Sequence, residues 1–221
     1  MFHYDYPHPA VTADVVIFTI RDGQLKLLLI RRAAKPYRGK WALPGGFVQI
    51  DEALEEAARR ELEEETGVSG VYLEQLYTFG TPGRDPRERV ITVAYYALIP
   101  SEKLQLRAAT DAEAVGWFAL NDLPELAFDH AKIVEKAHQR LVAKLDYSTL
   151  AFAFLPKRFT LTDVQQVYEI IRQEPIDKRN FRKWILALDQ IEETDEERRD
   201  GQHRPARLYR VKHPGMVAII K

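Results

Sequence analysis

The sequence predicts an α/β fold over residues 1–148, followed by a small helical unit with a hairpin over 149–221. Three observations carry that expectation. Extended apolar runs alternate with helical stretches through the first part, which argues α/β. Two apolar stripes at helical spacing, over 161–171 and 181–188, are separated by a break that holds Pro175. A basic, Gly- and Pro-bearing stretch, 198–210, then leads into an extended segment.

Each element has a local reason. Val11–Ile20 is β-rich and Leu25–Arg32 is almost wholly apolar; Asp22-Gly23 between them is a hairpin turn. Short extended pieces surround Pro44-Gly45-Gly46 within Trp41–Val48. A helix is expected from about Glu52 to Thr66, with Gly67 placed to end it. Val71–Phe79, Val90–Ile99 and Val115–Leu120 are strands, and the polar stretch 80–89 is a loop. Asp129 is positioned to cap a helix over His130–Leu145. The connection Asp146–Pro156 is too apolar for a free linker, which predicts that it packs. Thr160 and Asp163 form a capping-box-like start, and Asp177 caps the next helix.

The densest chemical signal is the spacing G-x5-E-x7-R-E-L-x-E-E-x-G-V, which runs from Gly46 through Glu52 to Arg60–Val68. On a helix, Glu61, Glu64 and Glu65 stand at i, i+3 and i+4 and share a face. Like charges there repel by a few tenths of a kcal/mol per pair, about 0.2–0.5. A divalent cation removes that penalty, and Mg²⁺ favours carboxylates together with substrate phosphates. A solvated acidic helix face is the plainer alternative, but nine specified positions in one register outweigh it.

These residues match the Nudix box at every specified position, so the chain resembles a Nudix hydrolase over residues 1–148. The resemblance implies an α/β/α sandwich with a mixed sheet, and hydrolysis of a nucleoside diphosphate linked to another group. It also implies Mg²⁺ or Mn²⁺ held by Glu61, Glu64 and Glu65, with the carbonyl of Gly45 contributing. Arg60 would brace the glutamates and Glu52 would support the loop-to-helix geometry, which places Glu52, Arg60, Glu64 and Glu65 in the catalytic set. The proton acceptor is left open among Glu64, Glu65 and the 111–113 segment. Gly46 and four arginines, Arg31, Arg32, Arg84 and Arg87, are the candidate substrate contacts, because guanidinium forks match phosphate oxygens.

In the second unit, Phe181, Trp184, Ile185 and Leu188 form an apolar stripe, which reads Trp184 as a core anchor. Arg179, Arg182 and Lys183 project opposite, with Lys178 at the boundary. Helix, turn, basic helix and basic hairpin make the pattern of a winged helix, whose helix fits a DNA major groove. Candidate DNA contacts are Lys178, Arg179, Arg182, Lys183, Arg198, Arg199, His203, Arg204 and Arg207. The alternative is a dimerisation unit with solvated arginines. With this tail the whole chain is similar to the Nudix-related transcriptional regulators, on Leu126–His130, Asp177–Phe181 and Arg204–Tyr209. That resemblance implies a homodimer on a palindromic operator and an ADP-ribose-like or sugar effector. The unbroken box argues for hydrolysis as well.

Composition narrows the classes. Without cysteine there are no disulfides, thiolate nucleophiles or zinc–thiolate sites, which suits a reducing cytoplasm. No run approaches the ~20 apolar residues of a membrane span, and Met1–Ala10 does not resemble a signal peptide. The net charge of −1 hides an asymmetry: residues 150–221 carry 14 Lys+Arg against 11 Asp+Glu, leaving 18 against 22 in the rest. The six histidines show no metal-ligand spacing. Three readings follow: a DNA-binding regulator that binds and hydrolyses an ADP-ribose-like ligand, a purely metabolic ADP-ribose pyrophosphatase whose tail dimerises, and a sensor without chemistry.

Overall fold

A computed structural model describes residues 5–103, 112–199 and 205–220. Its centre is a mixed sheet. Strand β1 (Ala10–Arg21) runs antiparallel to β2 (Gln24–Arg32) and parallel to β6 (Val90–Leu98), and β5 (Tyr72–Phe79) pairs antiparallel with β6. The short strands β3 (Trp41–Ala42) and β4 (Gly45–Phe47) add to β2 and β1, and β7 (Ala112–Ala119) adds to β2. The β1–β2 turn is Asp22-Gly23, both with positive φ (54° and 70°), the backbone that a two-residue hairpin requires.

Alternation along β1 sends successive side chains to opposite faces. Val15 and Ile17 pack with Ala57, Ala58 and Leu62 of helix α1 (Leu54–Thr66). Val16 and Phe18 pack with Ile133, Val134, Ala137 and Leu141 of helix α2 (His130–Leu145). The chain is therefore an α/β/α sandwich, as the box resemblance implies.

Two local expectations are corrected. Helix α1 starts at Leu54 rather than Glu52, because the Glu52 carboxylate turns back to accept from the backbone N–H of Gln49 (3.1 Å). Asp129 precedes α2 but does not cap it. Its carboxylate instead takes both arms of Arg84. Gly67 does end α1, at φ 67°, with its N–H on the Glu63 carbonyl (2.7 Å).

Residues 150–154 form a 3₁₀ turn whose Leu150, Phe152 and Phe154 are buried. They extend the α2 side of the core into α3 (Leu161–Arg172) and α4 (Lys178–Ala187). Thr160 and Asp163 complete the capping box of α3, and the Asp177 side chain accepts from Asn180 N–H (2.8 Å) to cap α4. Tyr168, Phe181 and Trp184 meet as a ring cluster with centroids 5.3–5.6 Å apart, so Trp184 is a core residue. Strands β8 (Ile191–Arg198) and β9 (Ala206–Val211) form the wing. The hairpin is as expected, but the span of β8 carries no signal of its own: Glu192, Glu193, Asp195, Glu196 and Glu197 hide it from any apolar pattern, and pairing with β9 defines it. Two helices, a short connection and a two-stranded hairpin give a C-terminal winged helix.

This unit is sewn to the sandwich. His138 Nε2 lies 3.1 Å from the Ile171 carbonyl, Arg172 pairs with Asp146, and Gln173 donates to Asn121 (3.1 Å). Ile220 donates its backbone N–H to the Tyr147 carbonyl (2.8 Å).

Candidate functional site

The site lies where β4 delivers the chain into α1. Gly45 pairs with Asp14 of β1, and a Cβ there would stand 2.5 Å from both the Ala13 carbonyl and Asp14 Oδ1, so only glycine fits. A Cβ on Gly46 would overlap Glu61 Oε1, so the absent side chain makes room for a carboxylate.

Arg60 organises the glutamates. Its fork meets Glu52 at 2.8 and 3.1 Å, Glu61 at 2.6 Å and Glu64 at 3.4 Å, and its Nη2 reaches the Phe47 carbonyl (3.4 Å). The Arg60 bond holds the Glu52 carboxyl below its ordinary range, and the bonds to Glu52 raise Arg60 in return. Glu61 goes the other way. Burial pushes it up, Arg60 pulls it back, and the charges of Glu64 and Asp14 push it up again. Glu61 and Glu65 are 8% and 7% exposed, while the Glu64 side chain is 55% exposed. The three lie on one side of α1, as their spacing requires. Among the described residues, however, no three acidic or histidine side chains converge closely enough to hold an ion. The Arg60 guanidinium occupies Glu61 and Glu64 instead.

The four predicted phosphate contacts separate. Arg84 is turned inward: its side chain is 4% exposed, bonded to Asp129 and 3.7 Å from Asp14. It is an anchor, not a solvent-facing phosphate donor. Arg31 donates to the Gly39 carbonyl (3.1 Å) at the surface. Arg32 donates to the Pro36 carbonyl (2.9 Å), and burial and then the Arg87 charge lower its pKa. Arg87 binds Asp85 through Nε (3.0 Å) and Nη2 (2.7 Å). Burial pushes the Asp85 carboxyl up, but its bonds to Arg87 win and hold it low. Of the open segment 111–113, Asp111 lies outside the described residues and Glu113 stands on β7.

Several residues at the site carried no sequence signal. Buried Asp14 faces Glu61, Arg84 and His130 from the middle of a strand. His130 accepts from the Leu43 N–H at Nδ1 (2.9 Å), so its own proton sits on Nε2 towards Asp14, 3.9 Å away. Phe47 and Phe128 flank Arg87. For Phe128 and His130 the only trace is the run Leu126–His130, which marks the family and not a role.

The second candidate surface is α4. Lys178, Arg179, Arg182 and Lys183 are all exposed on the side away from buried Phe181 and Ile185. On the wing, Arg198 is held by Asp163 (2.9 and 3.0 Å) and Arg207 by Glu193, so both forks are engaged within the unit. Arg199 is exposed, and His203 and Arg204 lie outside the described residues. Among the described residues no helix is long and apolar enough to cross a membrane.

Comparison with known proteins finds a family match for each unit. Residues 10–137 match the NUDIX domain model and 151–211 match the NrtR DNA-binding winged helix domain. A protein of Acinetobacter baylyi described as an ADPR responsive transcriptional repressor is 41% identical over 93% of this chain and 83% of its own length. An ADP-ribose pyrophosphatase of Methanocaldococcus jannaschii is 42% identical over 59% of this chain and 73% of its own. The crystal structure of Shewanella oneidensis NrtR complexed with a 27mer DNA superposes at a TM-score of 0.83 with 39% identity, covering 91% of this chain and 93% of that one. The NUDIX domain of the same NrtR, complexed with ADP ribose, superposes at 0.56 with 42% identity, covering 62% and 94%.

Proposed function

The chain belongs to the Nudix family and carries an NrtR winged helix, and from that premise we propose that it is an ADP-ribose-responsive transcriptional repressor that also hydrolyses its ligand. Residues 1–148 take the effector and residues 149–221 take double-stranded DNA. The observation that carries the reading is an unbroken box on α1 together with an exposed cationic face on α4 in the same chain.

On the DNA side, α4 lies in the major groove with Lys178, Arg179, Arg182 and Lys183 toward bases and phosphates. The wing, with exposed Arg199, lies along the backbone, and His203 and Arg204 remain candidate contacts from the sequence between its two strands. Two copies of the chain bind a palindrome, with half-sites about 34–36 Å or a multiple apart. Such a protein works in the cytoplasm, with the chromosome.

On the ligand side, the donor set fits a hard divalent ion. It would comprise the Glu61, Glu64 and Glu65 carboxylates and the Gly45 carbonyl, all hard oxygen donors, with Gly46 leaving beside Glu61 the room that a Cβ would fill. Repulsion from Glu64 and Asp14 on Glu61 is the charge imbalance that a cation relieves. Mg²⁺ or Mn²⁺ held there would supply positive charge against the diphosphate and would acidify a water. Arg60 braces Glu52 at the start of the helix. Glu64, open to solvent, is the candidate acceptor for the water's proton. Attack on one phosphorus of ADP-ribose releases AMP and ribose 5-phosphate.

One observation favours a second reading, a sensor without chemistry: Arg60 already neutralises Glu61 and Glu64 without an ion. Two assays decide. AMP release from ADP-ribose with Mg²⁺ separates hydrolase from sensor. A mobility shift on the chain's own upstream DNA, with and without ADP-ribose, separates a repressor from a metabolic pyrophosphatase.

A further inference from the structure

A cavity of about 510 Å³ opens at the seam between the sandwich and the winged helix. Three stretches of chain wall it. Val71 and Leu98 come from the sandwich, Phe152 and Leu155 from the 150–154 turn and its end, and Met216 and Val217 from the stretch after β9. Gly215, at φ 81°, turns the chain so that these last two line it. The wall is tied in place just beyond them: Ala218 N–H donates to Thr149 Oγ1 (2.8 Å), and Ile220 N–H donates to the Tyr147 carbonyl (2.8 Å). Leu98, Phe152 and Leu155 are buried while Met216 is 72% exposed, so the cavity has a dry end and an open mouth.

Its chemistry has two parts. The polar side chains on the wall are already engaged, Thr149 by Ala218 and the Tyr72 hydroxyl by Glu74 and Lys144. The charged side chains on the wall are Lys157, Arg158 and Arg210, and no carboxylate joins them. Arg158 is held by Glu196 (3.3 Å) and Arg210 by Glu192. Lys157 is exposed, and among the described residues no carboxylate lies within ion-pairing distance of it. An apolar space of roughly 300–1,000 Å³ with a few placed polar groups is the common form of a small-molecule site. None of the box carboxylates lines this one, so it is separate from the site on α1.

We propose that this cavity is a second ligand site, which takes a medium-chain alkyl carboxylate. The hydrocarbon body lies between Leu98, Phe152 and Leu155, and the carboxylate stays at the mouth beside Lys157. Charge complementarity selects the head, since a cation there meets three positive side chains and no negative one. Arg158 and Arg210 keep their glutamates and add only to the local field. Met216, unbranched and adaptable, accommodates bodies of different length. The proposal stands independently of the function given above, because neither the box nor α4 contributes to the wall.

The test titrates the full chain calorimetrically at low salt with decanoate, below its micelle-forming concentration, and with octanoate and decylamine for comparison. One decanoate per chain is expected. Octanoate, two methylenes shorter, should bind about 15-fold more weakly. Decylamine, of the same length and opposite charge, should bind at least about tenfold more weakly. Lys157→Ala is expected to weaken decanoate about fivefold and Lys157→Arg to keep it. Met216→Asp, which brings a carboxylate to the mouth, is expected to weaken decanoate more than decylamine. Both positions are exposed, so the melting temperature without ligand should be unchanged in each variant. No saturable uptake, several decanoates per chain, equal affinity for decylamine, or decanoate binding unmoved by both Lys157→Ala and Met216→Asp overturns the proposal.

Discussion

Arg84 and Asp129 lock face to face, Nε to Oδ2 at 3.1 Å and Nη2 to Oδ1 at 2.6 Å, with the arginine side chain almost wholly out of water. The pair closes a 45-residue separation in sequence and pins the start of α2 to the 80–89 loop. Removing one partner of a buried pair leaves a bare charge and costs about 3–5 kcal/mol. Asp129→Ala is therefore expected to lower unfolding free energy by about that amount in a urea titration. A loss under about 1 kcal/mol would mean that Arg84 finds water or Asp14 instead.

His130 gives the stability a pH dependence. Burial holds its folded pKa below the ordinary value, against the opposing pull of the Asp14 charge. A base with a depressed folded pKa binds its proton more readily when unfolded. Its contribution is complete above the unfolded value, about 6.5, and is lost as pH falls towards the depressed one. The slope reaches about 1.4 kcal/mol per pH unit for one such group. His130→Gln is expected to flatten the fall of urea midpoints below about pH 6.5 relative to the unmutated chain.

Glu64→Gln combined with Glu65→Gln is expected to abolish AMP release from ADP-ribose with Mg²⁺, with operator binding retained. Gly46→Ala acts on the same chemistry by displacing Glu61 Oε1, a movable side-chain tip, so it should cost activity far more than stability. Turnover at the unmutated rate in the double variant would end the assignment of the box carboxylates to the ion.

Operator affinity should fall steeply between about 50 and 200 mM salt. Arg179→Ala and Arg182→Ala should each reduce the slope of log affinity against log salt by about 0.9, the release of one phosphate contact. Arg198→Ala should behave differently. Its fork is bonded to Asp163, so the expected first effect is a lower melting temperature, with the salt slope nearly kept. Filter binding across a salt series separates the two classes.

The chemistry near α1 was legible because it is local. Three glutamates, an arginine and two glycines within 23 residues fix a helix face whatever surrounds it, and the geometry follows from helical spacing. What could not be read depends on distant partners. Asp129 has the position and chemistry of a cap, and only the folded chain shows that Arg84 claims it. Arg32 and Arg87 stood out as cations, but Phe47 and Phe128 gave no sign that they would alternate with them, since the four are joined by the sheet and not by spacing. β8 was illegible for another reason. Its acidic residues have low strand propensity, and its extended shape comes from pairing with β9.

That same strand is partly discharged from within. Three of its five carboxylates, Glu192, Glu193 and Glu196, meet Arg210, Arg207 and Arg158 of the same unit. An approaching duplex therefore meets a hairpin whose acidity is already damped, and the uncovered cations of α4 set the angle of approach.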